Sequence, residues 1–278
     1  LSIGMYAQTT YNFNNCGKSG RYGPSQSQVN NTYSGTSLAG NVISNNGIQE
    51  WVVPHTGTYT IECYGAQGGL HTYTGNQGGL GSMMSGDFQL IQGQIINILV
   101  GQEGGDAFPL NNAAPGGGGG SYLYTGNSLL IAAGGGGGGS ASNWYLRHGS
   151  DGTAGSNSSD YFLGGLGGNG GLSNCVGSSS YWAGAGAGWN SDGTGGNNCT
   201  NYSYYAGSSG AEGGRSPLNG GFGGVRFNDG ADEGGDGGFG GGGGGGSDNM
   251  GTGGGGGYSG GAGAAGGGYP NNGGGGGG

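Results

Sequence analysis

Three histidines are the residues of this 278-residue sequence that could act as acid–base groups near neutral pH: His55, His71 and His148. All three lie in polar or turn-like segments, and His55 follows Pro54. Neither a G-x-S-x-G nor an H-E-x-x-H motif occurs, and the many G-x-G-x-x-G matches among 86 glycines have no P-loop lysine beside them. We therefore expect no catalytic residue, no cofactor and no enzymatic activity.

A cluster of carboxylates occurs in the segment N-D-G-A-D-E-G-G-D, residues 228–236. Its acidic members are Asp229, Asp232, Glu233 and Asp236. Flexible, oxygen-rich loops can bind Ca²⁺, but this segment lacks the ligand spacing of an EF-hand. A solvated acidic loop is the other interpretation. We predict no metal site here, and the calcium alternative stays open.

Cysteines and glycosylation motifs indicate an oxidising compartment. The four cysteines are expected to form disulfides and not a zinc site: Cys16, Cys63, Cys175 and Cys199. Four N-x-S/T motifs are candidate glycosylation sites: Asn30, Asn157, Asn198 and Asn201. The chain begins at Leu1 with neither an initiator methionine nor a basic leader, which fits a mature product. Together these features predict a secreted, extracellular glycoprotein.

The formal charge of −9 comes from 14 acidic residues against five basic ones. The five basic residues are scattered along the sequence, whereas binding to nucleic-acid phosphates needs clustered Lys and Arg. No apolar stretch reaches the length of about 18 residues that a membrane-spanning helix needs. We therefore expect no nucleic-acid partner and no membrane span.

Glycine accounts for 86 of the 278 residues and decides the predicted fold class. Each glycine in a helix interior costs roughly 0.5–1 kcal/mol relative to alanine, so a helical domain is excluded. Collagen is excluded because the glycines form blocks and do not recur at every third position. The pure blocks are residues 116–120, 134–139, 240–246, 253–257 and 273–278. Aromatic residues make up 10% of the chain, which is not typical of a disordered linker.

Short apolar or alternating segments predict β-strands. They are residues 1–7, 48–54, 58–64, 88–100 with a break at Gly93, and 128–133. Short strands separated by turns are typical of a β-sandwich, so the predicted class is all-β with essentially no α-helix. The chain divides into an N-terminal extension strand, most of the sandwich, and a glycine-rich part that contains strand 128–133. The corresponding ranges are 1–10, 11–114 and 115–278.

The glycine blocks themselves are predicted to be ordered rods. The extended threefold polyglycine II helix rises about 3.1 Å per residue and points its N–H and C=O groups sideways. Because buried backbone groups need partners, such rods must pair with one another, and only glycine lets backbones approach so closely. Leu166, Ala185 and Phe222 interrupt looser glycine segments and are expected to face away from the packed rods. A set of solvated loops is the alternative.

Aromatic residues cluster in S-Y-W at 180–182 and in N-Y-S-Y-Y at 201–205. Tyrosine and tryptophan combine apolar area with a polar group, so the cluster could form a surface that binds a sugar or a protein partner. It could equally cover the ends of the glycine rods. The sequence leaves both interpretations open.

Longer motifs resemble a known family. Residues 12–28 read N-F-N-N-C-G-K-S-G-R-Y-G-P-S-Q-S-Q and residues 47–69 read G-I-Q-E-W-V-V-P-H-T-G-T-Y-T-I-E-C-Y-G-A-Q-G-G. Shorter matches follow at 98–104, 129–137 and 237–245. In this order the motifs resemble the glycine-rich extracellular region of the anaplastic lymphoma kinase and leukocyte tyrosine kinase family. The resemblance implies a TNF-like, jelly-roll type antiparallel β-sandwich with an inserted bundle of polyglycine II helices.

The chain departs from this family at its cysteines. The family has a second cysteine directly after the G-P-x-Q-x-Q motif, where this chain has Val29, and a small residue where this chain has Cys63. By comparison with the family one cysteine has moved, and we therefore expect Cys16 to pair with Cys63. The other two, Cys175 and Cys199, are then expected to pair across an Asn- and Ser-rich loop.

The predicted function follows from a difference between this chain and the family after the glycine region. The family has a closing sandwich strand after its glycine region, whereas this sequence ends in glycines. We expect the open edge to accept the extension strand of another copy, with Leu1, Ile3, Met5 and Ala7 on its buried face. The competing interpretations are that this strand folds back onto its own sandwich, or that processing removed a downstream closing strand. Head-to-tail exchange is open-ended, so the expected function is a secreted structural subunit of an extracellular filament or matrix, partnered by copies of itself.

The alternative is a ligand- or glycan-binding receptor ectodomain or adhesin module without enzymatic activity, with glycans as further partners.

Overall fold

The computed structural model describes residues 9–107, 113–139, 149–158, 163–173, 182–196, 210–228, 234–246, 251–264 and 273–278. Within these ranges the chain forms seven β-strands and one α-helix, together with the 3-10 helix Pro217–Asn219. The strands are β1 (Val42–Asn45), β2 (Ile48–Val52), β3 (Gly57–Tyr64), β4 (Met83–Leu90), β5 (Ile95–Leu99), β6 (Ser121–Thr125) and β7 (Ser128–Ala133). This content is compatible with the predicted all-β sandwich.

Five antiparallel strands form the large sheet, in the order β1-β2-β5-β6-β7. The β1–β2 hairpin closes through Asn46 and Gly47, whose φ angles of 50° and 90° are both left-handed. An Asn-Gly pair in this conformation gives the two-residue turn whose twist matches that of the strands. The β6–β7 hairpin closes through Gly126, whose φ of 55° is left-handed, and Asn127. Both turns lie beside the cleft described below.

Strands β3 and β4 form a separate two-stranded sheet, the small sheet, paired from Gly57–Leu90 to Tyr64–Met83. The strands predicted at 58–64 and 128–133 are confirmed as β3 and β7, and 48–54 forms β2. The prediction for 88–100 divides between the end of β4 and β5, with Gly93 (φ 83°) in the turn between them. Strands β1 and β6 were not predicted, and segment 1–7 lies outside the described residues.

The segment around His55 is a bend that connects two strands. It leads from β2 to β3, and these strands belong to different sheets. The chain therefore crosses here from one layer of the sandwich to the other. The reason is that β2 takes β1 and β5 as its neighbours, which leaves β3 to pair with β4.

The described residues contain one short α-helix, α1 (Gln26–Tyr33), which the sequence did not predict. Ser25 caps it, and the Ser25 and Gln28 side chains bond reciprocally to the first backbone N–H groups in a capping box. The segment S-Q-S-Q carries this signal in the sequence. Val29 and Tyr33 are buried beneath the helix. No helix in the described ranges is long and apolar enough to cross a membrane.

The large sheet has apolar side chains packed on both of its faces. On one face, α1 and the small sheet cover a cluster that includes Val29, Trp51 and Ile96. On the other face, residues of the glycine-rich part cover Leu99, Tyr122, Tyr124 and Ala132 from the sheet. That second layer is supplied by Trp189 and Phe239, with Phe222 and Tyr258 at its margin. The glycine-rich part is therefore packed onto the sandwich and is not a separate unit.

The glycine blocks hydrogen-bond to one another through their backbones. In block 116–120, Gly116 and Gly119 donate to the segment at 102–105, and Gly117 and Gly120 donate to the segment at 240–243. Gly118 donates to Gly136 in a third segment. The partner segment thus repeats every third residue, and the interior glycines of these blocks are buried. Because a Cβ at most of them would overlap a neighbouring backbone, only glycine fits.

Two of the three residues that were predicted to face away from the packed glycines do not. Ala185 is fully buried, and Phe222 packs against the second apolar cluster and, edge-on, against Tyr22. Only Leu166 is exposed, at 50%. For Ala185 the reason is that the alternating Ala-Gly segment at 183–188 lies between other glycine segments, where a methyl group still fits.

Candidate ligand-binding cleft

A cleft of about 360 Å³ lies where the large sheet meets the glycine-rich part. One wall is the sheet face that carries Glu50, Asn97 and Tyr124, and the other is the segment around Pro217. The complete lining is Asn45, Asn46, Ile48, Glu50, Asn97, Tyr124, Gly126, Asn127, Pro217, Leu218 and Gly220. Four asparagines, a carboxylate and a phenol thus line one cleft beside apolar groups.

Strand register brings the polar wall together. Glu50 on β2 pairs with Asn97 on β5, and Asn97 pairs with Tyr124 on β6, so the three side chains form a row across the sheet. A register shift between Leu123 and Tyr124 follows in the β6–β7 pairing. Since directly opposed residues share a face, the row points away from the small sheet and toward the glycine-rich part.

The β1–β2 hairpin supplies the asparagines at the rim. Asn45 Nδ2 donates to Glu50 Oε1 at 2.9 Å, which orients the carboxylate within the row. The hairpin is seated by Gly47 against Gly23, where a Cβ added to Gly23 would lie 2.5 Å from the Gly47 Cα. This close approach of two glycines fixes the rim of the cleft to the segment that precedes α1.

Asp192 holds the opposite wall in place. Its carboxylate accepts hydrogen bonds from the Ser216 N–H at 2.8 Å, from Asn219 Nδ2 at 3.0 Å and from Arg215 Nη1 at 3.0 Å. Burial by itself raises the pKa of Asp192, but these donors and the Arg215 charge outweigh burial and lower the pKa below its usual 3.8. The carboxylate therefore clamps both ends of the Pro217–Asn219 turn.

We expect Asp192→Asn to remove this clamp and to lower the stability near neutral pH by about 1 kcal/mol, because the site is partly exposed. The folded pKa is depressed, so the stabilisation is present above pH 3.8 and is lost as the pH falls through the folded value. Urea denaturation at neutral and acid pH measures this. The difference between the wild type and D192N should shrink toward pH 3, and a constant difference would contradict the assignment.

Tyr124 closes the floor of the cleft. Its side chain is 6% exposed, and its ring packs edge-on against Trp189 at a centroid distance of 5.2 Å. Burial, with a smaller contribution from the Glu50 charge, raises the pKa of Tyr124 to about 12. The phenol is therefore protonated at neutral pH and can donate a hydrogen bond beside the acceptor groups of Glu50 and Asn97.

Exposed aliphatic side chains continue from the cleft along the same sheet face. Ile43, Val52 and Ile95 are 61%, 53% and 51% exposed, and we name them the aliphatic strip. Val52 and Ile95 are directly paired, and Ile43 pairs with Glu50 of the cleft. Leu218, 44% exposed, adds an apolar group on the opposite wall. Exposed aliphatic side chains that lie together mark binding surfaces more often than isolated ones do.

The cleft can recognise a ligand through hydrogen bonds and apolar contact. Its titratable lining residues are Glu50 and Tyr124, and the latter remains protonated at neutral pH. His71, one of the three candidate bases, is buried elsewhere, where burial lowers its pKa and Thr74 contacts its Nδ1 at 2.8 Å. His55 does not line the cleft, and His148 lies outside the described residues.

The predicted Cys16–Cys63 disulfide is wrong. Both residues are free thiols, and each is buried in a different apolar cluster. Cys63 Sγ contacts the Ser121 carbonyl oxygen at 3.3 Å, and Cys16 Sγ contacts the Asn14 carbonyl oxygen at 3.6 Å. Cys16 precedes α1 and packs in the cluster of Val29 and Trp51, whereas Cys63 lies on β3 and packs with Ile131 and Ala133. Cys175 and Cys199 lie outside the described residues.

Alkylation of the denatured, unreduced protein is expected to modify Cys16 and Cys63 quantitatively. In the folded protein both should react slowly, because they are buried and because burial raises the pKa of Cys63 to about 12. Peptide mapping by mass spectrometry measures both reactions. Recovery of a peptide linking residues 16 and 63 would contradict the structure.

The remaining predicted residues divide between described and undescribed parts of the chain. Asn30 is exposed on α1, where its Oδ1 accepts from Gln26 Nε2, and Asn157 is exposed in a loop. Asp236 accepts a hydrogen bond from the Arg226 N–H. No cluster of three metal-binding side chains occurs among the described residues. The other members of these predictions lie outside the described ranges: Leu1, Ile3, Met5, Ala7, Asn198, Asn201, Asp229, Asp232 and Glu233.

Of the aromatic cluster proposed at 180–182 and 201–205, only Trp182 is described, and it is buried. None of the cleft residues was a candidate functional residue on sequence grounds. Asn46-Gly47 is a hairpin signal that could have located one rim. The row Glu50, Asn97 and Tyr124 has no local signal, because it arises from pairing between distant strands.

The described residues thus form a β-sandwich with a polar cleft beside an aliphatic strip on one face of its large sheet. Comparison with known proteins finds similarity to a receptor. The chain is 43% identical over 100 residues to the mouse (Mus musculus) leukocyte tyrosine kinase receptor. The match covers 35% of this chain and 11% of the receptor, so the chain spans about a ninth of that relative's length. No protein-family profile matches the chain.

Proposed function

We propose that this chain is the ligand-binding module of an extracellular receptor, and that a protein ligand contacts the cleft and the aliphatic strip together. The observation that carries the proposal is the continuity of these two features on one sheet face, through the Ile43–Glu50 pair. A polar group of hydrogen-bonding side chains beside an exposed apolar area is the usual composition of a protein interface. The similarity to a receptor tyrosine kinase supports this function over the filament subunit.

A protein ligand fits the surface better than a glycan does. Sugar binding commonly uses an exposed aromatic face, and Tyr124, the one aromatic residue of the cleft lining, is 6% exposed. The aliphatic strip offers apolar area that a sugar would not cover. Glu50 is the one charged residue of the lining, and the chain has a net charge of −9. The ligand is therefore a protein with a basic contact surface, which long-range electrostatics would steer toward the module.

We infer two finer features of the fold in support of this function. The sandwich is of the TNF-like type, a proposal supported by a five-stranded sheet facing a smaller antiparallel one. The glycine blocks are polyglycine II helices, a proposal supported by hydrogen-bond partners that repeat every third residue. In this arrangement the glycine helices form a rigid support that holds the Pro217–Asn219 wall opposite the sheet.

The proposal is tested with the wild type and with a triple variant of the strip, Ile43→Ser, Val52→Ser and Ile95→Ser. Both proteins are screened against a library of secreted proteins and an array of glycans. The wild type should capture a basic protein, and the triple variant should bind it at least about tenfold more weakly, a loss of about 1.4 kcal/mol. The matched control is Leu166→Ser, which removes an equally exposed leucine outside the strip.

Equal thermal stability of the three proteins would establish that the variants are folded. Capture of a protein ligand that binds the triple variant and the wild type equally would refute the assignment of the strip. Binding to glycans alone would favour the adhesin alternative instead.

A further inference from the structure

A second groove, of about 450 Å³, lies on another side of the sandwich, between β4 of the small sheet and β7 of the large one. We name it the lateral groove. Its lining includes Met84 and Phe88 from β4 and Leu129, Leu130 and Ile131 from β7. Gly278 lies at one end, next to the Met84 side chain. The groove is lined mainly by apolar side chains and shares no residue with the cleft.

Both strands beside the lateral groove are sheet edges. Within the described residues, the backbone of β4 pairs with β3, and that of β7 (Ser128–Ala133) pairs with β6. No backbone hydrogen bond joins β4 to β7. An antiparallel edge strand points every second pair of N–H and C=O groups outward, where another strand can bind them. The groove thus combines apolar lining with a template for strand pairing.

The inward-facing side chains of β4 are incompletely covered. Met84 and Phe88 are half-buried although they belong to the interior of the sandwich, whereas Leu90 at the strand end is 2% exposed. Leu129 and Leu130 on β7 are half-buried as well. An added strand beside β4 would cover these side chains, because its own inward residues would fill the space between the two sheet edges.

We propose that the lateral groove binds an extended strand, and that the strand is residues 1–8 of a second copy of this chain. This segment lies outside the described residues. Leu1, Ile3, Met5 and Ala7 alternate with more polar residues, so an extended segment would present one apolar face to the groove. Its eight residues equal the length of β4, and backbone pairing would run along the whole edge.

Three variants of this chain test the exchange. The donor variant carries Ile3→Ser and Met5→Ser, and the acceptor variant carries Met84→Glu in the groove. The control, Met83→Glu, changes the neighbouring residue of β4, whose side chain is exposed on the opposite face. Light scattering should show self-association of the wild type and the control that increases with concentration. The donor and acceptor variants alone should remain monomers.

An equimolar mixture of the donor and acceptor variants distinguishes exchange between copies from fold-back within one chain. The acceptor variant keeps an intact strand and the donor variant keeps an intact groove, so the mixture should form dimers that do not grow further. A synthetic peptide of residues 1–8 should bind the donor variant at least about tenfold more tightly than the same peptide with serine at positions 3 and 5.

The peptide measurement does not depend on the Met84→Glu variant, so it remains informative if that variant fails to fold. A monomeric wild type would overturn the proposal, as would a mixture that stays monomeric or equal binding of the two peptides. Because these readouts do not use the cleft, they are independent of the receptor function proposed above.

Discussion

Gly243→Ala is expected to lower the free energy of unfolding by about 2–3 kcal/mol, and Gly243→Val by more. Gly243 donates to the Gly254 carbonyl at 2.8 Å and accepts from the Gly117 N–H at 2.9 Å, so it lies between two glycine segments. A Cβ at this position would overlap the carbonyl group of Gly184 in a third segment. The backbones cannot separate without losing hydrogen bonds, and this is why a single methyl group has a large effect.

Gly155→Ala is the matched control for this prediction. Gly155 is exposed, has no left-handed φ, and a Cβ there would meet no atom within 4 Å. Its substitution should be neutral or stabilising by about 0.4–1 kcal/mol, because alanine restricts the unfolded chain. Denaturant titrations of the three variants give the comparison. If Gly243→Ala and Gly155→Ala unfold at the same denaturant concentration as the wild type, the glycine blocks are not packed against one another.

The second large effect is expected for Phe239→Ala, with a loss of about 3–5 kcal/mol. Phe239 is fully buried in the cluster that joins the large sheet to the glycine-rich part. Its backbone N–H donates to the Gly20 carbonyl and its carbonyl accepts from the Gln102 N–H. The cavity left by the ring would therefore open at the junction of the two parts, which also positions the wall of the cleft.

The control for Phe239→Ala is Phe222→Ala. Phe222 packs at the margin of the same cluster and is only half-buried, so its truncation removes less buried area and should cost clearly less. Calorimetry measures both variants, together with the intrinsic fluorescence of the four tryptophans, of which Trp189 lies in this cluster. Equal losses for the two variants would mean that the junction is not organised around Phe239.

Local patterns in the sequence predicted those elements that depend on neighbouring residues. Strand β3 follows from alternation in residues 58–64, and β7 follows from a short apolar run bounded by a turn. The capping box of α1 and the Asn46-Gly47 turn are equally local, and both could have been found in the sequence. Ordered, closely packed glycines were predicted from composition, because glycine has no side chain to keep neighbouring backbones apart.

The functional surface could not be predicted in this way. Glu50 meets Asn97, and Asn97 meets Tyr124, only because β2, β5 and β6 pair in one register. A shift of one residue in either pairing would turn these side chains to the opposite face. The predicted disulfide failed for a related reason. The presence of two cysteines in a sequence does not show which apolar cluster each thiol occupies in the fold.

The sequence by itself therefore determined a glycine-dominated, β-rich chain without an extended helical part, because backbone propensity and side-chain alternation act over a few residues. The tertiary structure decided which faces meet. It placed Phe239 and Trp189 on the large sheet, left β4 and β7 unpaired along the lateral groove, and kept Cys16 apart from Cys63. These outcomes depend on contacts between residues that are far apart in the chain, and such contacts form only when the chain folds.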